Sequence, residues 1–178
     1  ADLVLSGVNA GSNLANDIGS SGTIGACFEA AELGVPAIAF SQRQAGRRDS
    51  SRWACAERLT AHLLPRLFDA LCSPHRVLNV NFPALADGEA VAGLEVAHSG
   101  LREGPLSIEE KPSDRGRRAF HIYTLREDVP NVPDCDLDRV LRGYVTVTPL
   151  GLDQTRYEEL AGMRARLRDA LPSTAVSG

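Results

Sequence analysis

Residues 1–41, ADLVLSGVNAGSNLANDIGSSGTIGACFEAAELGVPAIAFS, divide into a strand, a glycine-rich loop, a capped helix and a second strand. Asp2-Leu3-Val4-Leu5 is an apolar run of the kind buried in a parallel sheet, and it discharges into Ser6-Gly7-Val8-Asn9-Ala10-Gly11-Ser12-Asn13. Ser21 suits the N-cap of a helix running to about Glu32, with Gly34 at its end and Pro36 just beyond. Ile24, Phe28 and Ala31 recur at helical spacing with Cys27 beside them, and Ala37-Ile38-Ala39-Phe40 supplies the next strand. The stretch is a βαβ unit, and in open α/β sheets ligands collect where such strands end.

The loop offers two kinds of ligand group. A helix start exposes unpaired N–H groups and the positive end of the dipole, which favour an anion such as phosphate, and Gly22 and Thr23 are the candidates for that cradle. Asn9 offers a neutral amide oxygen at the strand tip, a ligand suited to Mg²⁺, Mn²⁺ or Ca²⁺. A hard cation also needs carboxylates, and Asp17 is the nearest that follows Asn9 in the loop. Ser, Asn and Gly equally build ordinary turns, so loop chemistry alone leaves a structural role and a ligand role open.

The order of these residues narrows the choice. S-G-V-N-A-G-S-N followed by S-G-T at a helix start resembles the SurE family of metal-dependent 5′-nucleotidases and acid phosphatases. Leu78-Asn79-Val80-Asn81-Phe82-Pro83 resembles that family's L-N-[IV]-N-x-P strand, Gly143 to Leu150 its G-Y-V-S-[IV]-T-P-L segment, and Asp134-Cys135-Asp136 its D-T-D run. The resemblance implies a Rossmann-like three-layer α/β core with a parallel sheet, a β-hairpin extension and a C-terminal helix. It implies one divalent cation, Mg²⁺ or Mn²⁺, per subunit, with Asn9 a metal ligand and Asn13, Ser21, Gly22 and Thr23 holding phosphate oxygens. The family's two catalytic aspartates stand in an N-D-D-G motif that these residues do not contain, so no catalytic residue is assigned within the chain, which is expected to be a truncated part, inactive alone. Ser20 stands where relatives often carry an aromatic residue or histidine.

Composition agrees with a globular domain. The chain has 178 residues, 43% of them hydrophobic, enough for one core. A net charge of −4 argues against a nucleic-acid polymer as partner, and Arg47-Arg48, Arg115 and Arg117-Arg118 are too mixed with acidic residues to form a basic surface. No apolar run approaches the about 20 residues of a membrane span, and no signal peptide precedes Ala1, so a cytoplasmic protein without a membrane partner is expected. Cys27, Cys55, Cys72 and Cys135 show neither C-x-x-C nor zinc spacing, so four reduced thiols are expected.

Further along, Ser50 can cap a helix over Ser51 to Leu71, with Trp53, Ala56, Leu59, Leu63, Leu67 and Leu71 on its apolar stripe and a kink or break near Pro65. Val77 to Phe82 reads as a strand stopped by Pro83, with Asn79 and Asn81 on one face closing hydrogen bonds to loops. Val91 to Ala97 and Ala119 to Leu125 bracket a polar stretch, and the pattern suggests an extended hairpin with a mobile tip. His62, His75, His98 and His121 have no partner pattern and read as surface or interface residues. Asp128 to Asp138 lacks the glycine of a calcium loop, and Asp136 is the expected cap of a Leu137 to Leu141 turn. Tyr144 to Thr148 reads as a strand that Pro149 limits to an end or an edge, and a helix follows from Asp153 to about Leu171 with Tyr157, Leu160, Met163, Leu167 and Ala170 on one side.

The resulting layout is a core over 1–83, a hairpin arm over 84–128, and a return to the core with a C-terminal helix over 129–178. The resemblance implies that arm and helix assemble a homodimer or homotetramer, the helix being exchanged between subunits. The implied substrate is a nucleoside 5′-monophosphate or another phosphate monoester. A non-catalytic α/β module that binds a nucleotide or phosphate, or only assembles subunits, is the rival reading. Phosphate binding independent of Mg²⁺ or Mn²⁺ would favour it. A dinucleotide-binding domain fits poorly, since G-V-N-A-G-S-N does not satisfy G-x-G-x-x-G.

Overall fold

The computed structural model describes residues 1–44, 53–71, 75–86, 88–102, 106–112, 118–124 and 132–168. The Ser50 cap, Arg47-Arg48, Cys72, Arg115 and Arg117, the Asp128 end of the acidic loop and the residues after Arg168 lie outside the described residues.

Among the described residues five strands form the main sheet: β1 (Val4–Ala10), β2 (Ala37–Gln42), β3 (Val77–Phe82), β4 (Gly93–Val96) and β7 (Tyr144–Leu150). Their order is β1-β2-β3-β7-β4. β1, β2 and β3 run parallel, β7 is antiparallel to β3, and β4 is parallel to β7. β5 (Leu106–Pro112) and β6 (Arg118–Thr124) make a separate antiparallel pair. The helices are α1 (Gly22–Glu32), α2 (Ala54–Ala70), α3 (Asp136–Leu141) and α4 (Tyr157–Leu167), and a 3-10 helix spans Ala15–Ser20.

β2 and β3 are buried along their whole length, as strands covered on both faces must be. On one face Ile38, Phe40, Leu78, Val80, Phe82, Val145 and Val147 meet Cys55, Ala56 and Leu67 of α2. The Phe40 and Phe82 rings stack there with centroids 6.2 Å apart. On the other face Ala37, Ala39 and Val77 meet Ile24, Cys27, Ala30 and Ala31 of α1. Strand period two then places Ser41, Asn79, Asn81, Thr146 and Thr148 on the α1 side, all buried. They are neighbours across the strands: Ser41 lies opposite Asn81, Asn81 opposite Thr146, and Asn79 opposite Thr148. This face is apolar under α1 and polar toward the carboxyl ends of β2 and β3. Over the polar half lies a small cluster of Leu14, Cys135, Leu137 and Val140.

Some elements differ from the sequence expectation. The segment around Val91 to Ala97 does not pair with the hairpin; its strand β4 adds to the main sheet beside β7, and the hairpin closes between β5 and β6 instead. α2 runs unbroken through Pro65, with Leu63 and Leu64 before it and Leu67 and Leu71 after it in the α2-side core. Its N-cap, Trp53, makes no side-chain cap; the amide oxygen of Gln42, at the end of β2, takes the Ala56 N–H at 2.9 Å. Cys135, not Asp136, is the N-cap of α3, its sulfur accepting from the Asp138 N–H. Pro149 falls one residue from the end of β7, although β7 itself lies inside the sheet. α4 buries none of its residues, and Tyr157, Met163 and Leu167 are exposed on it.

The load on the α2 side is carried by large apolar side chains. Phe82 is fully buried, and Phe82→Ala should cost about 3–5 kcal/mol of unfolding free energy, read from guanidinium denaturation. A loss below about 1 kcal/mol would show that this face is not the core.

Candidate active site

Asn9 reaches the site through an irregularity in β1. The register between β1 and β2 shifts between Ser6 and Asn9, after which Asn9 pairs with Ser41. Gly7 sits in that shift with φ +123°, and a Cβ there would lie 2.3 Å from the Phe40 carbonyl oxygen, so only glycine admits the close approach. The Asn9 amide Nδ2 donates to the Gly11 carbonyl at 3.0 Å, which fixes the side chain and leaves Oδ1 on the other side. Gly11 in turn donates to the Gln42 carbonyl at 3.0 Å, folding the loop back onto β2.

Asn13 is held more firmly. Its backbone N–H donates to Asn81 Oδ1 at 2.8 Å, and its carbonyl accepts from Asn79 Nδ2 at 2.8 Å and Asn81 Nδ2 at 3.1 Å. Asn81 Nδ2 also donates to Asn79 Oδ1, and Asn13 Nδ2 donates to Ser41 Oγ at 2.7 Å. Two strand asparagines thus satisfy both main-chain groups of one loop residue, the structural role expected for them. Asn13 itself is only 5% exposed, with one hydrogen of its side-chain amide committed to Ser41.

Beyond Asn13 the chain turns through Ala15, whose φ is +54°, and Ala15 N–H donates to Asp136 Oδ2 at 2.9 Å. Asn16 exchanges hydrogen bonds with the main chain of Arg102, and the Asp17 carboxylate takes Arg102 Nη1 at 2.6 Å. Asp17 is therefore spent on an ion pair, and the idea that it supplements Asn9 as a cation ligand is not supported. Ser20 Oγ donates to the Asp17 carbonyl at 3.4 Å and so closes its own turn.

Ser21 is the N-cap of α1 as expected: its Oγ accepts from Ile24 N–H at 3.2 Å and its carbonyl from Gly25 N–H at 2.9 Å. The Ser21 hydroxyl keeps its own proton for donation. The N–H groups of Gly22 and Thr23 precede the first intrahelical donor, and a Cβ on Gly22 would meet nothing within 4 Å. The helix start is thus an open face of donors at the positive end of an 11-residue helix. Asn9 pairs with Ser41 and Asn13 is bonded to it, so both lie at the end of β2, whose Ala37 and Ala39 α1 covers on the face that carries Ser41.

As an uncharged oxygen donor the Asn9 amide fits Mg²⁺ or Mn²⁺, as one member of a shell. Among the described residues no group of three or more His, Cys, Asp or Glu could hold a metal ion. Nor, among them, is any helix long and apolar enough to cross a membrane. Sequence reasoning missed Ser41 and assigned Asp136 a merely local cap. The signal in the sequence was the resemblance of Asp134-Cys135-Asp136 to the family's D-T-D run, which names no contact for Asp136.

The family model described as survival protein SurE matches residues 1–104. The chain belongs to the SurE family. It is 40% identical over 173 residues to the 5′-nucleotidase SurE of Rhizorhabdus wittichii, covering 94% of this chain and 66% of that protein. The 5′-nucleotidase SurE of Bradyrhizobium sp. is 41% identical over 158 residues, covering 86% of this chain and 62% of the relative. The crystal structure of the SurE protein from Aquifex aeolicus superposes with a TM-score of 0.71 at 32% identity, covering 93% of this chain and 65% of that one. The chain thus spans just under two thirds of the length of these relatives, and the SurE fold, a mixed α/β core with a mostly parallel sheet, is common to both.

Two outcomes follow for the site. Asn81→Ala would leave the buried Asn13 N–H without its acceptor and should lower stability by about 1–3 kcal/mol in denaturant unfolding, where an unchanged midpoint would show that the loop is held otherwise. Burial between α1 and the sheet pushes the Cys27 thiol up to about 11. A raised value means less thiolate at any pH below it, on the order of one part in a thousand at pH 8. Iodoacetamide mapped by mass spectrometry should label Cys27 only after unfolding, and rapid native labelling would contradict the burial.

Proposed function

We propose that the protein hydrolyses phosphate monoesters, chiefly nucleoside 5′-monophosphates, as a divalent-metal-dependent phosphatase. The observation that carries the reading is a strand-tip amide, Asn9, and an open helix start, Ser21–Thr23, joined by a loop pinned to the sheet at Asn13. The relatives' name, 5′-nucleotidase, supports the substrate class.

In this proposal the Gly22 and Thr23 N–H groups and the Ser21 hydroxyl donate to phosphate oxygens, and the second hydrogen of the Asn13 amide joins them. The donors are fixed before substrate arrives, so they stabilise the charge that builds on the phosphoryl oxygens without reorganising. Asn9 Oδ1 would be one ligand of a Mg²⁺ or Mn²⁺ ion. When bound, such an ion supplies charge neutralisation and lowers the pKa of the attacking water. Carboxylates outside these 178 residues would complete its shell, so the chain alone is proposed to be inactive. We extend the proposal to assembly into a homodimer or homotetramer through the 84–128 arm and an exchanged C-terminal helix. The exposure of Ile108 and Phe120 on the hairpin and of Tyr157, Met163 and Leu167 on α4 supports it.

In the full-length protein, Asn9→Ala should reduce Mn²⁺-dependent turnover of p-nitrophenyl phosphate by several hundredfold, about the loss of one well-aimed group at the reacting centre. Near wild-type turnover by that variant would refute the assignment.

A further inference from the structure

We propose that Asp136 is a positioning residue for the phosphate donors at the α1 start, acting through Ala15, an inference that rests on the phosphatase reading. The Asp136 side chain is fully buried. Its Oδ2 accepts from Ala15 N–H at 2.9 Å, and its Oδ1 from Gly100 N–H at 2.9 Å and from Leu137 N–H at 2.8 Å. Among the described residues its carboxylate is therefore held by main-chain donors alone, drawn from three separate segments. A local helix cap would need only the last of them.

The Ala15 bond reaches 121 positions back in sequence into the loop between Asn13 and the α1 cap. Ala15 adopts φ +54° without being glycine, a conformation that persists only where the surroundings impose it. The surroundings here are Asp136 and the segment it also holds. Its own N–H donates to the His98 carbonyl at 2.9 Å, Ser99 Oγ donates to the Ala15 carbonyl at 3.4 Å, and Arg102 clasps Asn16 and Asp17. Gly100 permits this contact, since a Cβ there would lie 2.6 Å from the Cys135 sulfur. The loop is thus pinned twice: from the sheet at Asn13, and from α3 at Ala15. Between the pins, Leu14 is fully buried. The second pin sets the path of the chain into the Ser21 cap and so the aim of the Gly22 and Thr23 donors.

The chemistry demands a carboxylate. Both of its oxygens only accept, which matches three N–H donors. An asparagine at 136 can keep Gly100 and Leu137 on its oxygen, but it then turns its NH₂ toward the Ala15 N–H, donor against donor. Asp136→Asn therefore removes the loop contact selectively.

The test uses the full-length protein with Mn²⁺ and p-nitrophenyl phosphate. Asp136→Asn should lower kcat roughly 30- to 100-fold with KM changed less than about threefold, the pattern of donors mis-aimed by about an ångström. The comparison is Asp138→Asn on the same helix, whose carboxylate bonds the Asp134 N–H and Arg142 Nε and not the loop. It should lower the melting temperature while keeping kcat within about threefold. Equal losses of kcat in both variants, or wild-type kcat in a folded Asp136→Asn protein, overturn the positioning role and leave the phosphatase reading standing. Absence of turnover in the wild type overturns both. Hydrogen exchange at Ala15 in the wild type decides independently of any variant: slow exchange is expected, and the rate of an open loop overturns the proposal.

Discussion

A single loop residue, Asn13, is gripped at its N–H and its carbonyl by two asparagines rising from a central strand, and the geometry of the corner depends on that grip. Without it the Asn13 N–H and carbonyl would lie buried and unpaired, at a cost comparable to a sizeable share of a domain's net stability. With it, the chain leaving β1 has a defined height above the sheet. The Ser41 hydroxyl fixes the side chain of the same residue, so peptide and side chain are held together. The helix start inherits its location from this anchorage as much as from its own cap.

The sheet consequently has two unlike faces. Under α2 it is an ordinary apolar layer of branched and aromatic residues. Under α1 it begins with alanines, which let the helix lie close, and passes into serine, asparagine and threonine where the loop arrives. Apolar burial is indifferent to direction, whereas each hydrogen bond of the amide set has one donor and one acceptor in one orientation. The first face supplies stability and the second supplies position.

What could be read from residues alone followed the range of the forces involved. The α1 boundaries were legible because a serine cap and a C-terminal glycine act within a turn, and β3 because alternation and Pro83 are local. That Asn79 and Asn81 share a face follows from period two; that both meet Asn13 does not, since 66 and 68 residues intervene. Asp136 was legible as a helix-start acid within a run resembling the family's D-T-D, but its contacts were not, because two of its three donors come from distant segments. Pro65 predicted a break that packing of its neighbours on the sheet overrides. β4 has the pattern of a hairpin strand, and only its pairing with β7 assigns it to the main sheet. The Asn9 and Ser21 to Thr23 site was visible as residue order, while the close approach at Gly7 that re-aims Asn9 was not.

The asymmetry of the two faces bears on how such a molecule can drift. On the α2 side, one aliphatic residue can replace another so long as volume is kept, so neutral change can accumulate there singly. In the amide network any exchange breaks a donor–acceptor match, so an acceptable second change must arrive with the first. Descendants of this chain would therefore diverge at unequal rates across the thickness of one sheet, quickly beneath α2 and scarcely at all where the amides gather on the opposite face.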